Sequence, residues 1–138
     1  MHSSDITAAA RQYLGVPFAH QGRTRHGLDC LGLLVMVARD LGLGQAAAQD
    51  VCDYAHYPDE ARLRGGLERV LQPQDAMAAG CVLLMRVDAH ARHLGICAEY
   101  SGGQGWSLIH AWAPARKVVE HRLDAGWQQS VAGIYRLK

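Results

Sequence analysis

No stretch of this sequence is apolar for long enough to cross a bilayer. The longest run, Leu31 to Ala38, is broken by Arg39, whereas a spanning helix needs roughly 18 or more apolar residues. The opening Met1-His2-Ser3-Ser4-Asp5 puts an acid where an export signal would carry basic residues and then an apolar stretch. Synthesis in the cytoplasm without a signal peptide is the expectation. An excess of one charge is missing too: 14 basic against 13 acidic side chains leave a formal +1. That balance argues against a phosphate backbone as partner, so neither nucleic acid nor membrane is expected. Nor is there a paired metal-binding spacing. Cys30, Cys52, Cys81 and Cys97 fall at irregular intervals with no CxxC or HExxH, which predicts free thiols and neither metal nor cofactor.

What is present suits a folded domain. With 49% hydrophobic and 20% charged residues over 138 positions, the chain can bury a core, and its length predicts a single domain over 1–138. The eight histidines are many for this size, and imidazole is the side chain best suited to moving protons near neutral pH.

Apolar residues Ile6, Ala9, Ala10, Tyr13 and Leu14 recur at helical spacing, predicting a helix over 4–14 capped by Ser3 or Ser4 and ended by Gly15 and Pro17. Residues 18–28 read as a loop. A second helix is expected from Cys30 to Leu41, with Asp29 as N-cap and Gly42 as stop; being apolar almost all round, it should be buried centrally. Residues 45–57 show no period and read as an irregular excursion. Pro58 then opens a helical stretch lined by Leu63, Leu67, Val70 and Leu71, interrupted at Gly65-Gly66 and stopped by Pro73. From Gly80 the pattern turns to short strands over 81–87, 94–100, 106–112, 117–122 and 131–137. Helices first and a strand meander second predict an α+β fold with one antiparallel sheet of five to six strands.

Cys30 stands at the first turn of the buried helix, where unpaired N–H groups and the helix dipole favour a thiolate. A thiol nucleophile needs an imidazole beside it. His93 heads one strand and His110 lies inside the next, joined by the turn Ser101-Gly102-Gly103-Gln104-Gly105. If residue 100 pairs with 105, His110 pairs with Gly95 and stands two places from His93 on the same face. One more loop residue would send it to the other face. Gly95, without a side chain, would let another element approach, with the Cys30 helix as the candidate. For His2, His20, His26, His56, His90 and His121, solvent exposure is the default expectation. A metal set of Cys81, His90, His93 and Cys97 is disfavoured because strand side chains alternate between faces.

These residues resemble the NlpC family of papain-like cysteine peptidases, in its single-domain, phage-tail-associated branch. The family's opening Gly-x-Pro-Tyr, glycines and Asp-Cys-Ser-Gly-Leu is matched by Gly15-Val16-Pro17-Phe18, Gly22 and Asp29-Cys30-Leu31-Gly32-Leu33. Its His-Val-Gly-Ile and Ile-His-Ala are matched by His93-Leu94-Gly95-Ile96 and Ile109-His110-Ala111. The resemblance implies a papain-like fold, Cys30 as nucleophile, His93 as general base and acid, His110 as its orienter, and the Cys30 N–H as oxyanion donor. It further implies peptidoglycan stem peptides as substrate, cut between D-glutamate and diaminopimelate, with phage or prophage tail proteins as partners and a tail as destination. Phe18 replaces the family's tyrosine, Leu31 the serine after the nucleophile, and Cys81 a frequent aspartate. Two alternatives share these residues: a structural or assembly subunit of a tail tip with vestigial or single-use activity, and an acyltransferase or amidase on the same scaffold.

Overall fold

The computed structural model describes residues 2–43, 60–87 and 90–137. Helix α1 (Ser3–Arg11) is followed by a two-stranded hairpin, β1 (Arg23–Thr24) and β2 (Gly27–Leu28), and by α2 (Cys30–Asp40). Helix α3 (Glu60–Val70) and the short β3 (Gln72–Pro73) lead into β4 (Val82–Val87), β5 (His90–Glu99), β6 (Trp106–Trp112) and β7 (Lys117–Arg122). A short helix α4 (Ala125–Gln129) and β8 (Val131–Arg136) complete the chain. The six longer-range strands form one antiparallel sheet in the order β3-β8-β4-β5-β6-β7, as the α+β reading expected.

Alternation along each strand divides that sheet into two buried faces. Val82, Leu84, Leu94, Ile96, Ile109 and Ala111 pack with Ile6, Tyr13, Leu33, Val37, Leu63 and Leu67, so α1, α2 and α3 all cover one face. The other carries Leu83, Met85, Cys97 and Leu108, joined by Leu123, Trp127 and Ile134. Cys81, just before β4, and Cys97 of β5 meet there, and their mutual hydrogen bond together with burial holds the Cys97 thiol above its ordinary range. Both are free, as is Cys30; Cys52 lies outside the described residues.

Several boundaries differ from the sequence reading. Helix α1 stops at Arg11, because the chain turns through Gly15 at φ +87°; Leu14 consequently leaves the predicted apolar face and is exposed. Its N-cap is His2, whose backbone N–H donates to the Asp5 carboxylate at 3.0 Å, in place of a serine cap. Helix α3 runs through Gly65-Gly66 without interruption. The loop over 18–28 contains the β1–β2 hairpin, and α4 was not foreseen: five residues are too few to show a period, although Asp124 caps it by accepting from the Trp127 N–H at 3.0 Å. The excursion over 45–57 and the helix opening at Pro58 lie outside the described residues.

Candidate active site

The sequence Asp29-Cys30-Leu31-Gly32 builds the start of α2 from three separate physical requirements. Asp29 caps the helix, its Oδ1 accepting from the Gly32 N–H at 2.8 Å. The same carboxylate ties down the preceding loop: Oδ2 accepts from the Gln21 N–H at 2.8 Å, and Oδ1 from the Arg23 guanidinium at 2.9 Å in a mostly buried ion pair. Gly32 has to be glycine, because a Cβ there would lie 2.1 Å from the Gly22 carbonyl oxygen. The loop is thus pressed onto the first helical turn, and Cys30 emerges where the two meet.

The sulfur of Cys30 faces β5 at Leu94, one residue beyond His93. Burial pushes its thiol up to about 12, with the Asp29 carboxylate adding to the shift, while backbone N–H groups of Leu94 and Leu31 and the Arg23 charge pull the other way. That direction runs against the resting thiolate expected from the helix terminus: lost solvation pulls harder than the backbone N–H groups facing the sulfur.

The hairpin register is the one anticipated. Glu99 pairs with Trp106, and the Tyr100 N–H donates to the Gly105 carbonyl at 3.1 Å. Continuing that ladder puts His110 opposite Gly95, and the two imidazoles meet, His93 Nε2 lying 2.7 Å from His110 Nδ1. Both rings are buried. Both rings share one face of the sheet, with Cys97 and Leu108, and the helix start stays close enough for the Asp29 charge to act on the His93 ring. The role foreseen for Gly95 is corrected: a Cβ there would come within 2.3 Å of Leu108 Cδ1, so the missing side chain makes room for β6 and not for α2. Burial holds His93 down to about 4 against the opposing pull of Asp29, and His110 down to about 2 with help from its two histidine neighbours. The resting rings are neutral at ordinary pH.

Three residues around this pair were not singled out from the sequence. His121 on β7 reaches His110, Nε2 to Nε2 at 2.8 Å. Trp112 stacks on the His110 ring with centroids 5.4 Å apart and planes 25° from parallel, and Trp127 of α4 meets it edge-on at 5.3 Å. The two tryptophans also touch one another and border an open groove of about 330 Å³ that includes Arg86, Asp124 and Ser130. Trp112 stands 5.1 Å from His93, so the groove opens beside the imidazoles. The described residues contain no cluster of metal-ligating side chains.

A half-buried thiol at a helix start thus stands next to a strand bearing a bonded histidine pair. The match to the NlpC/P60 family model extends over residues 15–136, and the chain belongs to that family. Among solved structures it is similar to the NlpC/p60 domain of the peptidoglycan hydrolase SagA, with a TM-score of 0.65 at 18% identity, over 99% of this chain and 100% of that one. It is also similar to an NlpC/P60 family protein from Bacillus cereus ATCC 10987, with a TM-score of 0.68 at 18% identity; it covers 99% of this chain but 40% of that one. At such identity the likeness speaks to the fold. No protein of curated function matches the sequence significantly.

Proposed function

We propose that the protein is a thiol hydrolase of peptidoglycan stem peptides, with Cys30 as nucleophile, His93 as general base and acid, and His110 as the residue that orients His93. The observation that carries this reading is the 2.7 Å contact between His93 and His110, set beside a thiol at the start of α2 in a chain of the NlpC/P60 family. The likeness to a peptidoglycan hydrolase domain supports the substrate class.

The resting chemistry decides the order of events. A thiol held up to about 12 beside an imidazole held down to about 4 does not form a standing ion pair. Proton transfer from Cys30 to His93 accompanies attack of sulfur on the peptide carbonyl, and the Cys30 N–H receives the developing oxyanion. The imidazolium is stabilised only then, by His110 and by the Asp29 charge, so their help falls on the transition state. His93 next gives its proton to the leaving amine, and water, deprotonated by the same ring, releases the acyl group from sulfur. Within this reading the bond cut is that between D-glutamate and diaminopimelate, and the enzyme acts from a phage or prophage tail.

Incubation with purified muropeptides, with products read by mass spectrometry, tests the reading. The wild type yields fragments split at the stem peptide, and Cys30→Ala yields none. Intact muropeptides after incubation with a folded wild type would instead favour a structural tail subunit, and transfer of the acyl group to an added amine would favour an acyltransferase.

A further inference from the structure

The hydrogen-bonded histidines do not end at His110. His121 Nδ1 lies 2.9 Å from the backbone carbonyl oxygen of Arg122, its Nε2 lies 2.8 Å from His110 Nε2, and His110 Nδ1 lies 2.7 Å from His93 Nε2. We infer that His121 is a positioning residue, which, anchored on the Arg122 carbonyl, sets the direction of every proton along this row of three imidazoles and leaves His93 Nδ1 bare to receive the thiol proton. The inference rests on the Cys30–His93 reading given above.

The direction follows from donor and acceptor inventories alone. A carbonyl oxygen can only accept, so the hydrogen on His121 sits on Nδ1. In its neutral form His121 carries that one hydrogen, so its Nε2 is bare and accepts from His110 Nε2–H. That leaves His110 Nδ1 bare, and it accepts from His93 Nε2–H. His93 then presents a lone pair on Nδ1, its one ring nitrogen not engaged by the row. In the opposite direction, His93 would hold a hydrogen on Nδ1 and could not take a proton from Cys30, while His121 would aim a bare nitrogen at the Arg122 carbonyl. One backbone oxygen therefore decides between a competent and an incompetent tautomer three residues away in the chain of bonds. The rings cannot readily turn to evade the choice: Trp112 stacks on His110, and Trp127 packs against both His110 and His121, with its centroid 5.0 Å from the latter.

The test exploits the difference between acceptors and donors at position 121. His121→Gln offers an amide oxygen to His110 Nε2–H, His121→Ala offers only water, which can do either, and His121→Lys offers donors alone. Nitrogen NMR of the substrate-free, ¹⁵N-histidine-labelled protein reads the tautomer directly. Wild type and His121→Gln should show His93 bare at Nδ1 and protonated at Nε2, His121→Ala a mixture, and His121→Lys the reverse. In the muropeptide assay, kcat should fall less than about 3-fold for Gln, about 10-fold for Ala and about 100-fold for Lys with KM little changed, the range usual for groups that orient an active residue. Position 121 is partly exposed, and a thermal melt of each variant confirms folding. A hydrogen on His93 Nδ1 in the wild type, or an unaltered His93 tautomer in folded His121→Lys, overturns the inference. The NMR arm needs no substrate, so an inactive wild type would count against the proposed function and leave the tautomer result to decide this inference.

Discussion

The two faces of the central sheet are built from adjacent residues of the same strands, yet they do different work. Along β6, Leu108, Ile109, His110 and Ala111 alternate between them: Ile109 and Ala111 enter the apolar core under the three helices, whereas His110 enters the other face beside Trp112 and Trp127. The helix face is filled mainly by aliphatic side chains, with Tyr13 and Tyr135 among them, and is held chiefly by close packing. The opposite face buries polar rings, each of which must be kept neutral and hydrogen-bonded to be tolerated. The first face supplies stability, and the second spends some of it to hold imidazoles out of water, where a proton can be moved against fixed partners. Cys30 reaches this arrangement from the helix side, its sulfur taking the Leu94 N–H one residue along β5 from His93.

Acid should separate the faces most strongly. In the unfolded chain imidazoles titrate near their ordinary 6.5, while burial holds His93 down to about 4 and His110 down to about 2 in the folded protein. As pH falls the unfolded state binds these protons first, so the stability is complete above about 6.5 and is lost progressively toward those lower values. Each ring costs about 1.4 kcal/mol per pH unit, or on the order of 4 kcal/mol for the two between pH 6.5 and 5. Urea titrations across that range should show the loss, and the double variant His93→Gln/His110→Gln should flatten it. A wild type as stable at pH 5 as at pH 7 would contradict neutral burial of the pair.

Neighbouring substitutions on β6 give the next contrast. Ile109→Ala empties a fully buried position on the helix face and is expected to cost roughly 2–5 kcal/mol, with hydrolysis per folded molecule unchanged. His110→Ala should instead lower turnover by about 100-fold, and His110→Asn or His110→Gln should retain more, because either amide offers the acceptor that His93 Nε2–H needs. Denaturant melts paired with the muropeptide assay read both quantities. If Ile109→Ala and His110→Ala lost activity and stability in the same proportion, the division of labour between the faces would collapse.

Most of the sheet was legible because strands advertise themselves by period and by glycine-rich turns. The hairpin from Ser101 to Gly105 was short enough to fix the register of His93 against His110. The same arithmetic carried one strand further would have found His121: with 113–116 as the turn, Trp112 pairs with Lys117 and His110 with Val119, so His121 stands two places along on the same face. Its position near a strand end suggested solvent, which hid the contact. The surroundings of the Cys30 thiol were not legible, because the sequence shows the helix start but not the loop pressed onto its first turn. Gly22 and Gly32 are the trace of that loop, meaningful only once the 2.1 Å approach of the Gly22 carbonyl to a Cβ at position 32 is seen.

The smallest expected effect sharpens the comparison from the helix side. Gly65 and Gly66 sit inside α3, and a Cβ at either would meet nothing within 4 Å. A glycine in a helix interior keeps the unfolded chain freer than alanine would, so each replacement by alanine should stabilise the protein by about 0.5–1 kcal/mol. Helix α3 contributes Leu63 and Leu67 to the apolar core and none of the residues that hold the imidazoles. Free energies at such independent sites add. The double variant Gly65→Ala/Gly66→Ala should therefore raise the whole stability curve and leave its slope between pH 6.5 and 5 as in the wild type, since that slope belongs to His93 and His110. A parallel upward shift in the urea titrations would keep the two faces energetically separate, whereas a changed slope would mean that tightening α3 reaches through the sheet to the buried rings.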